Sequence, residues 1–132
     1  MKAKTEAELI TLTKQYIEKL TEVERNKYSN LRVLPVKVKF SNRMTRCICQ
    51  TEEKRSCGRA IGIEFVWSNK FLNEFHGNLK LVKAVFYHEL AHAIVGVDHA
   101  HDKVWEAMAN KLGGFTTRSI SLRDYREDKK KG

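Results

Sequence analysis

The chain has 132 residues, the length of one domain, and its composition is 42% hydrophobic and 31% charged. These values are typical of a globular fold and exclude a disordered chain. No apolar stretch reaches the roughly 18 residues of a membrane span, and the polar N-terminus lacks the apolar core of a secretory signal. We therefore expect an intracellular protein with no membrane partner.

The formal net charge is +9 and the pI is about 9.6. Such a surplus favours association with polyanions, nucleic acid first, although ordinary solubility charge is the alternative. Lysines and arginines occur along the whole chain, so charge alone locates no binding surface.

Three cysteines, Cys47, Cys49 and Cys57, lie in one segment. An odd, clustered set is a poor disulfide framework, so we expect reduced thiols. A second metal site is the alternative, but the spacing is not a standard zinc pattern and a fourth ligand is missing.

The first predicted element is a helix over residues 4–27. Thr5 followed by Glu8 is typical of a capping box at its start. Apolar residues then recur at helical spacing, and these are Leu9, Ile10, Tyr16, Ile17, Leu20 and Val23.

Three short strands follow. Near alternation over residues 33–40 predicts the first strand, and Pro35 near its start favours an edge position. Residues 44–50 are a candidate second strand, and the polar residues 51–58 are a predicted turn or flexible loop. Residues 59–67 are the third. We expect a small three-stranded sheet connected as a meander.

Two further helices complete the pattern. Asn78 is a candidate cap for a helix over 79–96, which is apolar on most sides and therefore predicted to be buried. Gly96 is a plausible stop. Asp102 is a candidate cap for the last helix, residues 103–112.

The run from His88 to His92, His-Glu-Leu-Ala-His, carries the chemistry. The two histidines are one helical turn apart, so both imidazoles can bind one zinc ion. Glu89 lies about 100° round the helix from His88, close enough to reach a water on that metal. This is the zincin pattern, in which zinc activates the water and the glutamate transfers its proton to the leaving amine. Burying these groups without partners would be costly, which argues against ordinary core residues.

A catalytic zinc usually takes a third protein ligand. Asp98 lies where metzincins and their relatives place it, but the glycine those families need three residues after the second histidine is Val95 here. Glu106 follows the run too closely for the gluzincin pattern. The candidates are Asp98, His99, His101 and Glu106.

The stretch HELAHAIVGVDHAHDKVWEAMANKLGG resembles the SprT-like (Spartan-type) metallopeptidase family. In that family a loop follows HExxH, and a third histidine opens the next helix in a His-Gly-x-x-Trp/Phe pattern. The run from His101 to Trp105 matches, except that Asp102 replaces the glycine. The resemblance covers most of residues 5–114 and implies that His88, His92 and His101 bind zinc, with Glu89 as general base.

The predicted elements and the resemblance together indicate an α+β, minimal zincin-like domain over residues 1–122. The highly charged composition of residues 123–132 predicts a flexible tail. The resemblance implies a zinc-dependent endopeptidase that acts on DNA-associated proteins, including proteins crosslinked to DNA. Larger family members carry a zinc ribbon, but no cysteine follows Cys57, so we expect any DNA affinity to come from the basic domain.

Two other functions stay open. One is a non-catalytic, zinc-stabilised basic DNA-binding module, in which a fourth protein ligand would close the zinc. The other is a metallopeptidase with a dedicated target that is not DNA-associated. If the protein is a peptidase, with DNA-associated or with other targets, residues 59–67 are a candidate sheet edge for binding an extended peptide substrate. The alternative is that they form a plain core strand.

Overall fold

The computed structural model describes residues 5–44, 47–76, 78–96, 99 and 101–114. Within these residues, five helices and one three-stranded sheet form an α+β fold, which confirms the predicted class. The proposed tail over 123–132 lies outside the described residues, so the domain boundary stays a prediction.

Helix α1 spans Glu6–Arg25, two residues shorter at each end than the predicted range, with the predicted Thr5 as its N-cap. The Thr5 hydroxyl accepts a hydrogen bond from the backbone N–H of Glu8 at 3.2 Å, the N-cap half of the predicted capping box. A four-residue helix, α2 (Ser29–Arg32), follows it and was not predicted.

The sheet consists of β1 (Val36–Ser41), β2 (Cys49–Ser56) and β3 (Arg59–Ser68). Its order is β1-β3-β2, with β3 parallel to β1 and antiparallel to β2. The predicted meander is therefore wrong. The most apolar strand, β3, takes the centre, where both neighbours cover its polar backbone and the side chains of Ile63, Phe65 and Trp67 are buried.

The extent of the second strand also differs from the prediction. β2 covers most of the polar stretch assigned to a loop, and its side chains alternate between half-buried and exposed. Charged residues suit an edge strand with one solvated face. Instead of the predicted loop over residues 51–58, only a two-residue turn, Cys57 and Gly58, separates β2 from β3. The φ angles of these residues, 51° and 78°, are typical of a tight hairpin.

Helix α3 (Asn69–Phe75) follows the sheet, and α4 (Leu79–Val95) and α5 (Lys103–Leu112) match the predicted helices to within one residue. The side chains of Asn78 and Asp102 cap α4 and α5 as predicted. Gly96 ends α4 with a φ of 101°, a conformation that favours glycine.

Helix α4 lies between the sheet and α5 and contributes to two apolar clusters. The smaller cluster joins Ala91 of α4 to Trp105 and Ala109 of α5. After α5, Gly114 lies so close to α4 that a Cβ atom there would be 2.5 Å from the backbone nitrogen of His88. Among the described residues, no helix is long and apolar enough to cross a membrane.

Candidate metal centre

Helix α4 carries three polar side chains into the interior. His88, Glu89 and His92 have exposed fractions of only 4%, 6% and 8%. The two histidine rings lie 5.1 Å apart between centroids, as expected one helical turn apart. Burial of this kind is costly unless the groups find partners, and the partners come from the neighbouring elements.

His101 reaches the same place from the other end of a loop. Gly96 stops α4, and Asp102 starts α5 by accepting a hydrogen bond from the backbone N–H of Trp105 at 3.1 Å. The His101 ring then lies 5.5 Å from that of His88 and 4.8 Å from that of His92, between centroids.

The three histidines form the one group of three or more possible metal ligands in the part of the chain that the structure describes. Their candidate ligand atoms all lie within 4.8 Å of one another. A tetrahedral zinc holds histidine nitrogens about 2.1 Å away and hence about 3.4 Å apart, and the separations in the cluster exceed that spacing by no more than about 1.4 Å. The geometry fits a metal ion.

The other candidate ligands are placed elsewhere or lie outside the described residues. His99 Nδ1 is 2.8 Å from a carboxylate oxygen of Asp102, so this side chain pairs with the exposed cap residue of α5 and not with the cluster. Glu106 is exposed on α5 and is not in the cluster. Asp98 is not among the described residues.

The three cysteines also lie outside the cluster, and none of them is in a disulfide among the described residues. Burial raises the pKa of the Cys49 thiol well above its usual value, and the nearby Glu89 carboxylate raises it further. Cys49 is therefore a neutral, half-buried side chain beside the site.

Trp105 packs against all three histidine rings. Its ring is stacked on His92 at 5.0 Å between centroids and meets His88 and His101 edge-on at 4.8 and 4.7 Å. Its indole N–H donates to the main-chain oxygen of His88 at 3.2 Å. The sequence pattern includes Trp105 but not this role, because only the folded structure shows that it backs the whole cluster.

Thr51 of β2 contacts the glutamate, and sequence reasoning missed it. Its hydroxyl donates to the main-chain oxygen of Glu89 at 3.0 Å and to the carboxylate at 3.2 Å. The only available signal was strand alternation, which would place Thr51 on the inner face of β2 but cannot name its partner.

Burial sets the protonation of the site in the absence of a cation. It raises the pKa of Glu89 to about 8, against the opposing effect of the Thr51 hydrogen bond. It lowers the pKa of His92 to about 4, helped by the charges of His88 and His101. His92 is therefore neutral at pH 7 and offers a lone pair, which is the form that binds a metal.

Among the described residues, the free edge of the sheet beside this site belongs to β2, which is paired with β3 on its other side. Because β3 is paired with a neighbour on each side over residues 63–68, the prediction that residues 59–67 form a peptide-binding edge is wrong there. The backbone N–H of Ser68 donates to the Ile48 oxygen, so in an antiparallel ladder Gln50 and Glu52 also face β3. The main-chain groups of the alternate residues, Cys49, Thr51 and Glu53, then point outward.

Comparison with curated proteins and with solved structures gives no significant match. A family model described as the SprT-like family matches residues 7–125, which is most of the chain. The match includes every element from α1 to α5 and all three histidines. The chain therefore belongs to the SprT-like family.

Proposed function

We propose that this protein is a zinc-dependent endopeptidase of the minimal zincin type. The observation that carries the proposal is the cluster of three imidazoles beside a buried glutamate on the same helix. SprT-like domains are metal-dependent, which agrees with this cluster. Zinc is the metal we propose because three imidazoles with an open position are typical of catalytic zinc.

The proposed reaction is hydrolysis of a peptide bond by water. His88, His92 and His101 hold the ion, which when bound supplies Lewis-acid chemistry by lowering the pKa of water and polarising a carbonyl. Glu89 accepts a proton from the attacking water and passes it to the leaving amine. A C–O bond forms as the C–N bond breaks, with no covalent link to the protein.

The free edge of β2 supports an extended substrate beside the site. Thr51 touches Glu89 through its side chain, so its outward main-chain groups lie next to the proposed general base. A peptide that added to this edge as a further strand would be held by main-chain hydrogen bonds. Binding of this kind favours extended segments and does not depend on one side chain.

We further propose that the targets are DNA-associated proteins, including proteins crosslinked to DNA. The net charge of +9 supports this, because it favours proximity to nucleic acid. The resemblance of the region from His88 to Trp105 to Spartan-type proteases supports it as well.

The substitution Glu89→Gln tests the chemistry. It removes the proton acceptor but keeps the shape, so we expect kcat/KM on an unfolded protein substrate to fall by at least about 100-fold. Zinc content, measured by atomic absorption, should stay the same. Glu106→Gln, an exposed site on α5, is the control and should leave both values unchanged. Retained activity in the Glu89 variant would refute the proposed general base.

Coordination separates the enzyme from a non-catalytic, zinc-stabilised DNA-binding module. In the described residues the cluster offers three histidine ligands, which leaves a fourth position for water. X-ray absorption of the zinc-loaded protein should fit three imidazoles and one oxygen ligand. A fourth imidazole or a thiolate would favour the closed, structural site.

A further inference from the structure

Thr51 lies on β2 and contacts Glu89 on α4, the helix that also carries His88 and His92. Building on the proposed function, we infer that Thr51 is a positioning residue that holds the Glu89 carboxylate in the orientation needed for proton transfer. The inference rests on contacts between two elements, β2 and α4, that are far apart in sequence.

The hydrogen-bond geometry restricts the glutamate side chain. The Thr51 oxygen lies 3.0 Å from the main-chain oxygen of Glu89 and 3.2 Å from its carboxylate, and its single proton is shared between them. Both acceptors belong to the same residue, so the hydroxyl ties the end of the side chain back to its own helix. A glutamate has three rotatable bonds, and this contact selects one of its conformations.

The burial of Glu89 increases the influence of this hydrogen bond on the position of the carboxylate. Glu89 is 6% exposed, so water has little access to orient the carboxylate. Among the described residues, Thr51 is the side chain that donates a hydrogen bond to it. Proton transfer to Glu89 requires its ionised form, and a hydrogen bond to an ionised carboxylate in such a site is stronger than one between neutral groups.

Strand β2 holds Thr51 firmly. The residue pairs with Phe65 of β3, and its β-branched side chain has a restricted χ1 angle in a strand. Because the main-chain groups of Thr51 point to the free edge, one residue meets both the proposed peptide path and the proposed base. A substrate strand docked there is thus aligned with Glu89 by the same residue.

Three variants test the inference. Thr51→Val keeps the shape and removes the hydroxyl, so we expect kcat to fall about tenfold to 100-fold, with KM and zinc content unchanged. Thr51→Ser keeps the hydroxyl and should stay within about threefold of the original kcat. Thr21→Val is the matched control, because the buried Thr21 hydroxyl bonds only to a helix carbonyl away from the site. Its kcat should not change.

A second readout does not depend on activity. Crystal structures of the zinc-loaded proteins should show the Glu89 carboxylate displaced or in several conformers in the Thr51→Val variant, and in its original place in Thr51→Ser. If valine prevents folding, Thr51→Ala removes the same hydroxyl and is assessed in the same way.

The outcomes separate the two proposals. An inactive zinc-loaded wild type would refute the proposed peptidase, while the position of Glu89 in the variants would still decide the role of Thr51. Unchanged kcat in Thr51→Val, an undisturbed carboxylate, or a serine variant as impaired as the valine variant would each overturn the inference.

Discussion

The three histidines of the cluster are brought together by different parts of the structure. His88 and His92 are neighbours through the geometry of one helix, so their spacing needs no tertiary contact. His101 depends on the end of α4, the loop and the cap of α5, and it is half-buried where the other two are buried. Trp105 then packs against all three rings. Of the three candidate ligands, His101 therefore depends most on the tertiary fold.

We expect His101→Ala to weaken zinc binding by at least about 100-fold, since loss of a ligand should cost no less than loss of an outer-shell partner. Titration against a chromophoric zinc chelator measures the affinity. His99→Ala is the matched control, because His99 lies two residues away and pairs with Asp102 instead. Asp98→Ala should also leave the affinity unchanged. Loss of zinc in Asp98→Ala with retention in His101→Ala would move the third ligand to Asp98.

Among the strands, in the part of the chain that the structure describes, β2 is the one whose side-chain hydrogen bond links the sheet to α4. It is an edge strand, polar on one face, and it contacts α4 through Thr51 on the other. The central strand β3 has no free edge where it is paired on both sides, so it contributes core side chains instead. Position in the sheet therefore separates the central strand β3 from the edge strand β2, which we propose as the substrate-binding edge.

We expect Glu53→Pro to raise KM about threefold to tenfold, because it removes an outward N–H that would bond to the substrate backbone. Proline is tolerated at an edge where the N–H faces away from the sheet. Steady-state kinetics on a peptide substrate, with circular dichroism as a check on folding, gives the measurement. Glu53→Ala controls for loss of the ion pair with Arg55 and should keep the original KM. Equal KM values for the two variants would exclude β2 as the substrate edge.

For the whole molecule, 25 lysines and arginines outnumber 16 aspartates and glutamates, so acidic residues cannot pair with all of the basic ones. On the outer face of the sheet, Lys39 lies 3.0 Å from Glu64, and Lys54 lies 3.8 Å from it. Hydrogen bonding to Lys39, then the charges of the lysines around it, hold the pKa of the Glu64 carboxyl below its usual value. Lys39 and Lys54 are thus paired with Glu64. We therefore expect other lysines and arginines to provide the attraction for nucleic acid.

We expect the protein to bind double- and single-stranded DNA at low salt, with an affinity that falls steeply as salt rises. Each phosphate neutralised on duplex DNA contributes about −0.9 to the slope of log K against log salt concentration, and about −0.7 on a single strand. Fluorescence anisotropy across a salt series measures both slopes. Absence of binding at 50 mM salt would favour a peptidase with a dedicated target that is not DNA-associated.

The local sequence predicted helices α1, α4 and α5 and the run that carries two of the candidate metal ligands. Thr5, Asn78 and Asp102 cap their helices as predicted because capping needs only residues within one turn. The spacing of His88 and His92 is equally local. The SprT-like motif pointed to His101, and the family match agrees with that resemblance.

Only the tertiary structure decided which strands meet and what surrounds the site. The parallel pairing of β1 with β3 and the edge position of β2 depend on contacts between distant segments, which local alternation cannot specify. The contacts of Thr51 with Glu89 and of Trp105 with the three histidines arise in the same way. Helical periodicity is a property of neighbouring residues, whereas a sheet and a buried polar site are completed by residues that only folding brings together.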